Sequence, residues 1–526
     1  VTSYNIKEGV RGLFYILEPA GRDILYNNIK MTDELEDFYK YVVVGGGIAG
    51  VTCVETLSAL CPDERILLLT SSNLVKAVIN YQKVSKTLES FVVQEQPMSY
   101  IQNDCPNVQV LQKTIVSLDA KNHMLRTDDG CKFKYQKLCI CAGGKPKLIA
   151  KDNAYVVGIR DTESVQEFQS RLQKARRIVV VGNGGIATEL VYEVKGCEVL
   201  WAIKDISISS TFVDPGAAQF FLPHLNQEKS QDEKPLKRLK YTSDQETSVE
   251  FQKSSLQTPG GALGPDWSTS LEMKGSQSVC HCVHVEYQVE VTKLWSPEEL
   301  KNACKTETTH TDLPFFQHPG SWPIYVELTN GKIYGCDFVV SATGVIPNIE
   351  PFTENNKFQM ASDGGLMVND KLQTSEKDVY AAGDVCTASW DPAPHWFQMR
   401  LWAQARQMGA YAAKSMVADD NGEEIPLDFC FELFSHVTKF FNYKVILLGK
   451  YNAQGLGSDH ELLLRVTKGK EYVKAVIQGG CLQGAVLIGD TDLEETFENL
   501  ILNQLDLTPF KNHLLESAID VEDFFD

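Results

Sequence analysis

Two stretches of this chain repeat one pattern, an apolar run that breaks into glycines and resumes as a helix, and nothing else restricts the fold as much. The first is Tyr41-Val42-Val43-Val44 followed by Gly45-Gly46-Gly47-Ile48-Ala49-Gly50. Four apolar, mostly β-branched residues predict a buried strand. Gly45 permits the tight turn out of it, Gly47 lets backbone approach a pyrophosphate, and Gly50 lets the next helix pack on the strand. That helix is expected to start near Gly47 and to run through Val51 and Val54 to Leu57. Its unpaired N–H groups and its dipole favour a bound phosphate. The alternative is a glycine-rich loop with no ligand, and the flanking strand and helix argue against it.

The second stretch is Arg177-Ile178-Val179-Val180-Val181-Gly182-Asn183-Gly184-Gly185-Ile186-Ala187, with Ala187 where the third glycine would stand. Thr188, Glu189 and Leu190 continue into its helix. Two such units imply two dinucleotides, or one cofactor and one co-substrate, placed to exchange electrons. The strand after the first unit, residues 66–69, ends on Thr70, Ser71 and Ser72 where an acidic residue usually holds a ribose. Hydroxyls bond a ribose more weakly. The strand after the second unit, residues 199–203, runs into Lys204. No carboxylate there favours NADH, so Lys204 either meets a 2′-phosphate or is a solvated surface lysine.

Around these units, 526 residues suggest about three domains. Small-residue strand ends follow at Cys139-Ile140-Cys141-Ala142-Gly143-Gly144-Lys145-Pro146, at Val339-Val340-Ser341-Ala342-Thr343-Gly344-Val345-Ile346-Pro347-Asn348, and at Tyr380-Ala381-Ala382-Gly383-Asp384-Val385. Each lets backbone lie close to a ligand, and Asp384 is placed to bond a ribityl-type hydroxyl. Residues 205–320 read as a long insertion, polar from 226 to 255 and rich in glycine and proline from 258 to 265. Within it, Cys280-His281-Cys282-Val283-His284 suggests a metal, but no second cluster completes a finger and the alternation suits a strand. No metal site is expected. Residues 426–509 read as an α+β domain with strands at 444–448, 462–466 and 473–476, a further apolar run at 484–489 and a helix at 493–505. Residues 1–39 read as an N-terminal extension, part of it not native to the chain.

The ordered set GGGIAG, VSK, CAGGKP, GNGGIA followed by Thr188 and Glu189, ATGVIPN and YAAGD resembles the pyridine nucleotide-disulphide oxidoreductases, flavoproteins with two dinucleotide-binding domains. It spans roughly residues 40–425. The resemblance implies two Rossmann-like domains, one for FAD (40–150 with 335–425) and one for NAD(P) (151–334), before the C-terminal α+β domain. It implies that Gly45, Gly47, Ile48, Ala49, Gly50, Thr70, Lys86, Val116, Ala142, Gly143, Asp384 and Val385 line FAD. Gly182, Gly184, Ile186, Glu189, Lys204 and Gly344 would line the nicotinamide nucleotide. Lys86 and Glu189 would pair beside the flavin N5 and act as the catalytic residues.

One departure from the family bears on chemistry. Its disulphide reductases carry CxxxxC just before the VSK lysine, and residues 75–86 contain no cysteine. The C-terminal His-Glu proton-transfer pair has no clear match either, and His436 reads as a satisfied, partly buried histidine. The expected function is therefore FAD-dependent oxidation of NAD(P)H with the acceptor left open. A dithiol reductase using Cys139 and Cys141 is the alternative. Fourteen scattered cysteines with no signal-peptide pattern before them suggest free thiols in a reducing compartment, and the resemblance implies nucleus and cytoplasm. The resemblance also implies the tRNA ligase complex as a partner to be protected from oxidation. A balance of 50 basic and 69 acidic residues argues against direct nucleic-acid binding. No apolar run approaches the ~20 residues of a membrane span. The acidic tail, residues 510–526, alternates acids with Ile519, Val521, Phe524 and Phe525, so it is either a solubilising end or a recognition segment.

Overall fold

The apolar run before the first glycine motif is the centre of a parallel sheet. In a computed structural model, which describes residues 37–160, 162–226, 273–276, 282–308 and 321–516, Asp37–Val44 pairs with Ile66–Thr70 on one side and Lys132–Ile140 on the other. Val108–Gln112 and Val379–Ala381 extend the two flanks, again in parallel. Strands covered on both faces must be apolar along their length, and Ile66–Thr70 is buried at every position. Val379–Ala381 returns from far along the chain, so this domain is built from two separate segments.

The same plan is then repeated. Arg177–Val181 is central, with Glu198–Ala202 and Cys282–Glu286 on one side and Phe338–Ser341 and Val156–Val157 on the other, all parallel. In both sheets the central strand is the one that feeds the glycine turn. Each domain also carries antiparallel strands, Met124–Thr127 with Ile115–Asp119 in the first, and Val291–Trp295, Ile324–Leu328 and Ile333–Cys336 in the second.

This arrangement corrects the reading of residues 205–320 as one insertion. Pro215–Phe221 is a helix capped by the Asp214 carboxylate, and Cys282–Glu286 is a strand of the second sheet. Polar composition hid the helix, whereas the strand bears out the alternation read around Cys282 and His284, with Val283 turned into the core. Residues 227–272, Cys280, His281, the N-terminal extension before residue 37 and the tail from 517 lie outside the described residues.

The third domain is an antiparallel sheet in the order Ser435–Phe440, Tyr443–Gly449, Cys481–Ile488, Glu471–Gln478 and Glu461–Thr467. Alternate side chains take opposite faces. Ile446, Leu448, Val473 and Ala475 meet Phe497, Leu500 and Ile501 of the helix Glu494–Asn503. Val445, Leu447, Val486 and Ile488 share a core with Phe212, Phe220 and Phe221 of the second domain. An aromatic seam thus fixes the third domain to the second.

A hairpin, Leu74–Lys83 with Glu89–Pro97, joins the third domain to the first. Its tip is held by Glu498, which accepts the N–H groups of Lys86 at 2.9 Å and Thr87 at 2.6 Å. Ser435 Oγ donates to Thr87 O at 2.9 Å, and Leu88 is buried in the third-domain core.

Candidate functional site

The two glycine turns are built alike. Gly45 has φ +120° and Gly182 φ +127°, conformations that side chains rarely adopt. A Cβ on Gly45 would stand 2.2 Å from Cys141 O, and one on Gly182 would stand 2.1 Å from Ala342 O. Each turn is therefore pressed against the end of the neighbouring strand. Gly47 and Gly184 are the caps of the helices Ile48–Leu60 and Gly185–Glu193, in extended backbone with no capping side chain. A Cβ at either would meet nothing within 4 Å. The first N–H groups of both helices thus lack a side-chain partner, and the caps stand in open space. That is the arrangement an anion needs.

Both turns open on a single cavity of about 820 Å³, lined by residues 45–49 and 184–186, by Ala142, Gly143, Asp384 and Gly344, and by His436, Val437 and Thr438 of the third domain. Its volume suits a dinucleotide-sized ligand. Thr70 lines it as well, its hydroxyl engaged with the Ser72 backbone at 3.3 Å. Asp384 is buried, its carboxylate pairs with the Arg160 guanidinium, and its carbonyl accepts Arg400 Nε at 2.9 Å. Arg160 Nε also donates to Gly144 O at 3.1 Å. Sequence reasoning missed Arg160. Its only local signal is a lone basic residue just after the two-residue strand Val156–Val157.

Several expected contacts lie elsewhere. Gly50 sits behind the wall, where a Cβ would stand 1.9 Å from Gly45 O, so it allows helix to meet turn. Gly182 and Val385 likewise support the wall without lining it. Lys204 is exposed outside the lining, and Val116 points to solvent on Ile115–Asp119.

The expected pairing of Lys86 with Glu189 is not formed. Lys86 is exposed at the hairpin tip, and its ammonium donates to Asn499 at 2.9 Å. Glu189 is buried within Gly185–Glu193 and does not line the cavity. The physical reason is local. Residues 74–97 form a hairpin whose far end is tied down by Glu498, which carries Lys86 to the third domain. The lysine that the same hairpin places in the wall is Lys76, whose N–H donates to Gly46 O at 2.9 Å. Glu89 is there too, gripped by Arg406 at 3.0 and 2.9 Å.

His436 also departs from expectation. It is buried, but Nδ1 has no hydrogen-bond partner, and burial pulls its pKa down to about 4. Sequence gave no sign of the strand Ser435–Phe440 that holds it against the cavity.

Cys139 and Cys141 lie on one strand face with sulfurs 3.6 Å apart. The Cys139 thiol and burial together push Cys141 well above the ordinary thiol range. At Cys139 the Cys141 thiol acts downwards, but Cys53 and burial outweigh it. Among the described residues, no group of His, Cys, Asp and Glu is arranged to hold a metal, and no helix is long and apolar enough to cross a membrane.

A family model described as pyridine nucleotide-disulphide oxidoreductase matches residues 39–227 and 307–409, and one described as rubredoxin NAD+ reductase C-terminal domain matches 435–505. The chain is 56% identical over 492 residues to pyridine nucleotide-disulfide oxidoreductase domain-containing protein 1 of Mus musculus, covering 92% of this chain and 98% of that one. The protein of the same description from Homo sapiens is 55% identical, covering 93% and 98%. Among solved structures, the covalent putidaredoxin reductase–putidaredoxin complex superposes with a TM-score of 0.61 at 15% identity, over 93% of this chain and 98% of that one. An engineered water-forming NADPH oxidase bound to NADPH gives 0.60 at 15% identity, over 89% and 92%. At such low identity these two share the fold alone. The chain belongs to the pyridine nucleotide-disulphide oxidoreductase family, an NAD(P)H-dependent flavoprotein with FAD as cofactor and NAD(P)H as co-substrate.

Proposed function

We propose that this flavoprotein moves electrons from NAD(P)H to oxygen or another small acceptor without a cysteine pair. One observation carries the reading. Both glycine turns open on one cavity, and among its described lining residues the single cysteine, Cys141, is buried and held as a neutral thiol. FAD, when bound, supplies hydride acceptance from NAD(P)H and electron delivery to the acceptor. Residues 45–49 and the start of Ile48–Leu60 would hold its pyrophosphate. Asp384 would accept hydrogen bonds from its hydroxyls, with Arg160 balancing the carboxylate. Residues 184–186 would hold the phosphates of the nicotinamide nucleotide, with Gly344 across from them.

The dithiol alternative needs a thiolate at Cys139 or Cys141, since the thiolate is the attacking species. Buried thiols with raised pKa values are poor attackers. Stopped-flow mixing of anaerobic enzyme with NADPH, followed by oxygen or a disulphide, separates the two. Reoxidation by oxygen and not by the disulphide is expected, and the opposite result would favour the cysteines.

We further propose that the protein, in nucleus and cytoplasm, guards a redox-sensitive partner, the tRNA ligase complex. Family resemblance and the charge balance of −19 support this reading. An enzyme that handles RNA presents a basic groove, and Glu516, Asp520, Glu522, Asp523 and Asp526 carry charge that could enter it. Deleting residues 516–526 is expected to leave FAD content intact, weaken capture of the complex and make the remaining binding less sensitive to salt. Equal capture and equal salt dependence with and without the tail, tested with and without NAD(P)H, would remove the tail from the account.

A further inference from the structure

The third domain reaches the cavity along one strand, Ser435–Phe440, through His436, Val437 and Thr438. His436 is the residue there whose presence packing does not explain. The residue is 7% exposed, and its Nδ1 is buried without a partner. Buried polar atoms in folded proteins are nearly always satisfied, so Nδ1 marks a ring whose hydrogen bonding the packing around it leaves incomplete. The ring stands against Phe212 with centroids 6.3 Å apart, and Phe212 in turn packs on Phe440 at 5.2 Å. A leucine or phenylalanine would fill such a place without stranding a nitrogen. Phe212 lines the same cavity, beside residues 184–186 of the second glycine turn. His436 therefore stands where the third domain, the second domain and the cavity meet. Burial keeps the ring neutral, so it offers one N–H and one bare nitrogen.

We propose that His436 is a ligand contact, a neutral imidazole that hydrogen-bonds the amide-type edge of a heterocycle bound in this cavity. Such an edge sets a carbonyl beside an N–H, so it can serve either tautomer of the ring. Both the flavin pyrimidine ring and the nicotinamide carboxamide present one. A charged group fits the site poorly, because a neutral imidazole packed on Phe212 cannot balance it. The inference rests on the reading that FAD and NAD(P)H share this cavity.

The test uses purified FAD-loaded protein and the substitutions His436→Phe and His436→Gln. Phenylalanine keeps the ring packing and removes the hydrogen bond, whereas glutamine keeps a donor and an acceptor. Loss of one neutral hydrogen bond is expected to weaken the affected ligand about fivefold in His436→Phe, with recovery in His436→Gln. A changed absorption spectrum of the bound flavin in the absence of nucleotide assigns the contact to FAD. An unchanged spectrum with a raised Kd for NADPH or NADH assigns it to the nicotinamide. Wild-type spectrum and affinities in His436→Phe, or the same defects in both variants, overturn the proposal. If the phenylalanine protein does not fold, the wild type decides. The ring ¹⁵N signals of labelled His436 must move when FAD or NAD(P)H is added to flavin-depleted protein, and unmoved signals overturn the proposal. Protein that binds neither nucleotide would instead refute the functional reading on which this one stands.

Discussion

At Gly45 there is room for a hydrogen and nothing more. A methyl group would overlap Cys141 O, and φ +120° would be strained for any other residue. Gly45→Ala is expected to cost about 3 kcal/mol or more, read as a fall in thermal midpoint of flavin-free protein. An unchanged midpoint would mean that the turn relaxes easily. His436 makes a different prediction. Burial lowers its pKa from 6.5 to about 4, so between those values the unfolded ring binds a proton that the folded ring does not. Its contribution is whole above pH 6.5, shrinks as pH falls through that window and levels off below about 4. The loss amounts to about 3 kcal/mol. Wild type should therefore lose more stability than His436→Phe on acidification, and parallel curves would contradict the assignment. Sequence exposed Gly45, Gly47 and Asp384 because backbone constraints leave residue-type signatures. Arg160 and His436 left none, since their roles come from strands distant in the chain.

Among the elements, the hairpin from Leu74 to Pro97 shows where sequence reasoning failed and why. A motif lysine was expected beside the second glycine helix, yet the buried Glu498 draws the hairpin tip to the third domain. No local pattern announces a partner more than 400 residues away. Glu498→Ala would leave the Thr87 N–H unpaired inside the protein and strip the Lys86 N–H of its acceptor. A loss of about 2–4 kcal/mol is expected by denaturant unfolding. Lys86→Ala, at an exposed tip, should cost under about 0.5 kcal/mol and leave the rate of flavin reduction by NADPH unchanged. A slowed reduction would return Lys86 to the chemistry. The central strands were legible because burial on both faces demands continuous apolar runs. Of the edge strands, Cys282–Glu286 showed in the alternation of Cys282, Val283 and His284, whereas Ser435–Phe440 did not, because one covered face leaves a weaker pattern.

On the scale of the whole molecule, two copies of one parallel fold face a shared cavity, and the third domain closes part of it. The repeated glycine motif announced that duplication. The aromatic seam between the second and third domains was illegible, because Phe212, Phe220 and Phe221 sit in a stretch whose neighbours read as an insertion. The central claim is that electrons pass through the flavin alone, with Cys139 and Cys141 as core thiols. Anaerobic titration of the purified flavoprotein with NADPH or NADH, followed by flavin absorbance, measures this directly. Complete bleaching is expected at one equivalent of nucleotide per flavin, because the flavin alone takes up two electrons. A requirement for two equivalents would reveal a disulphide filling alongside the flavin, and failure to bleach would contradict the functional reading itself.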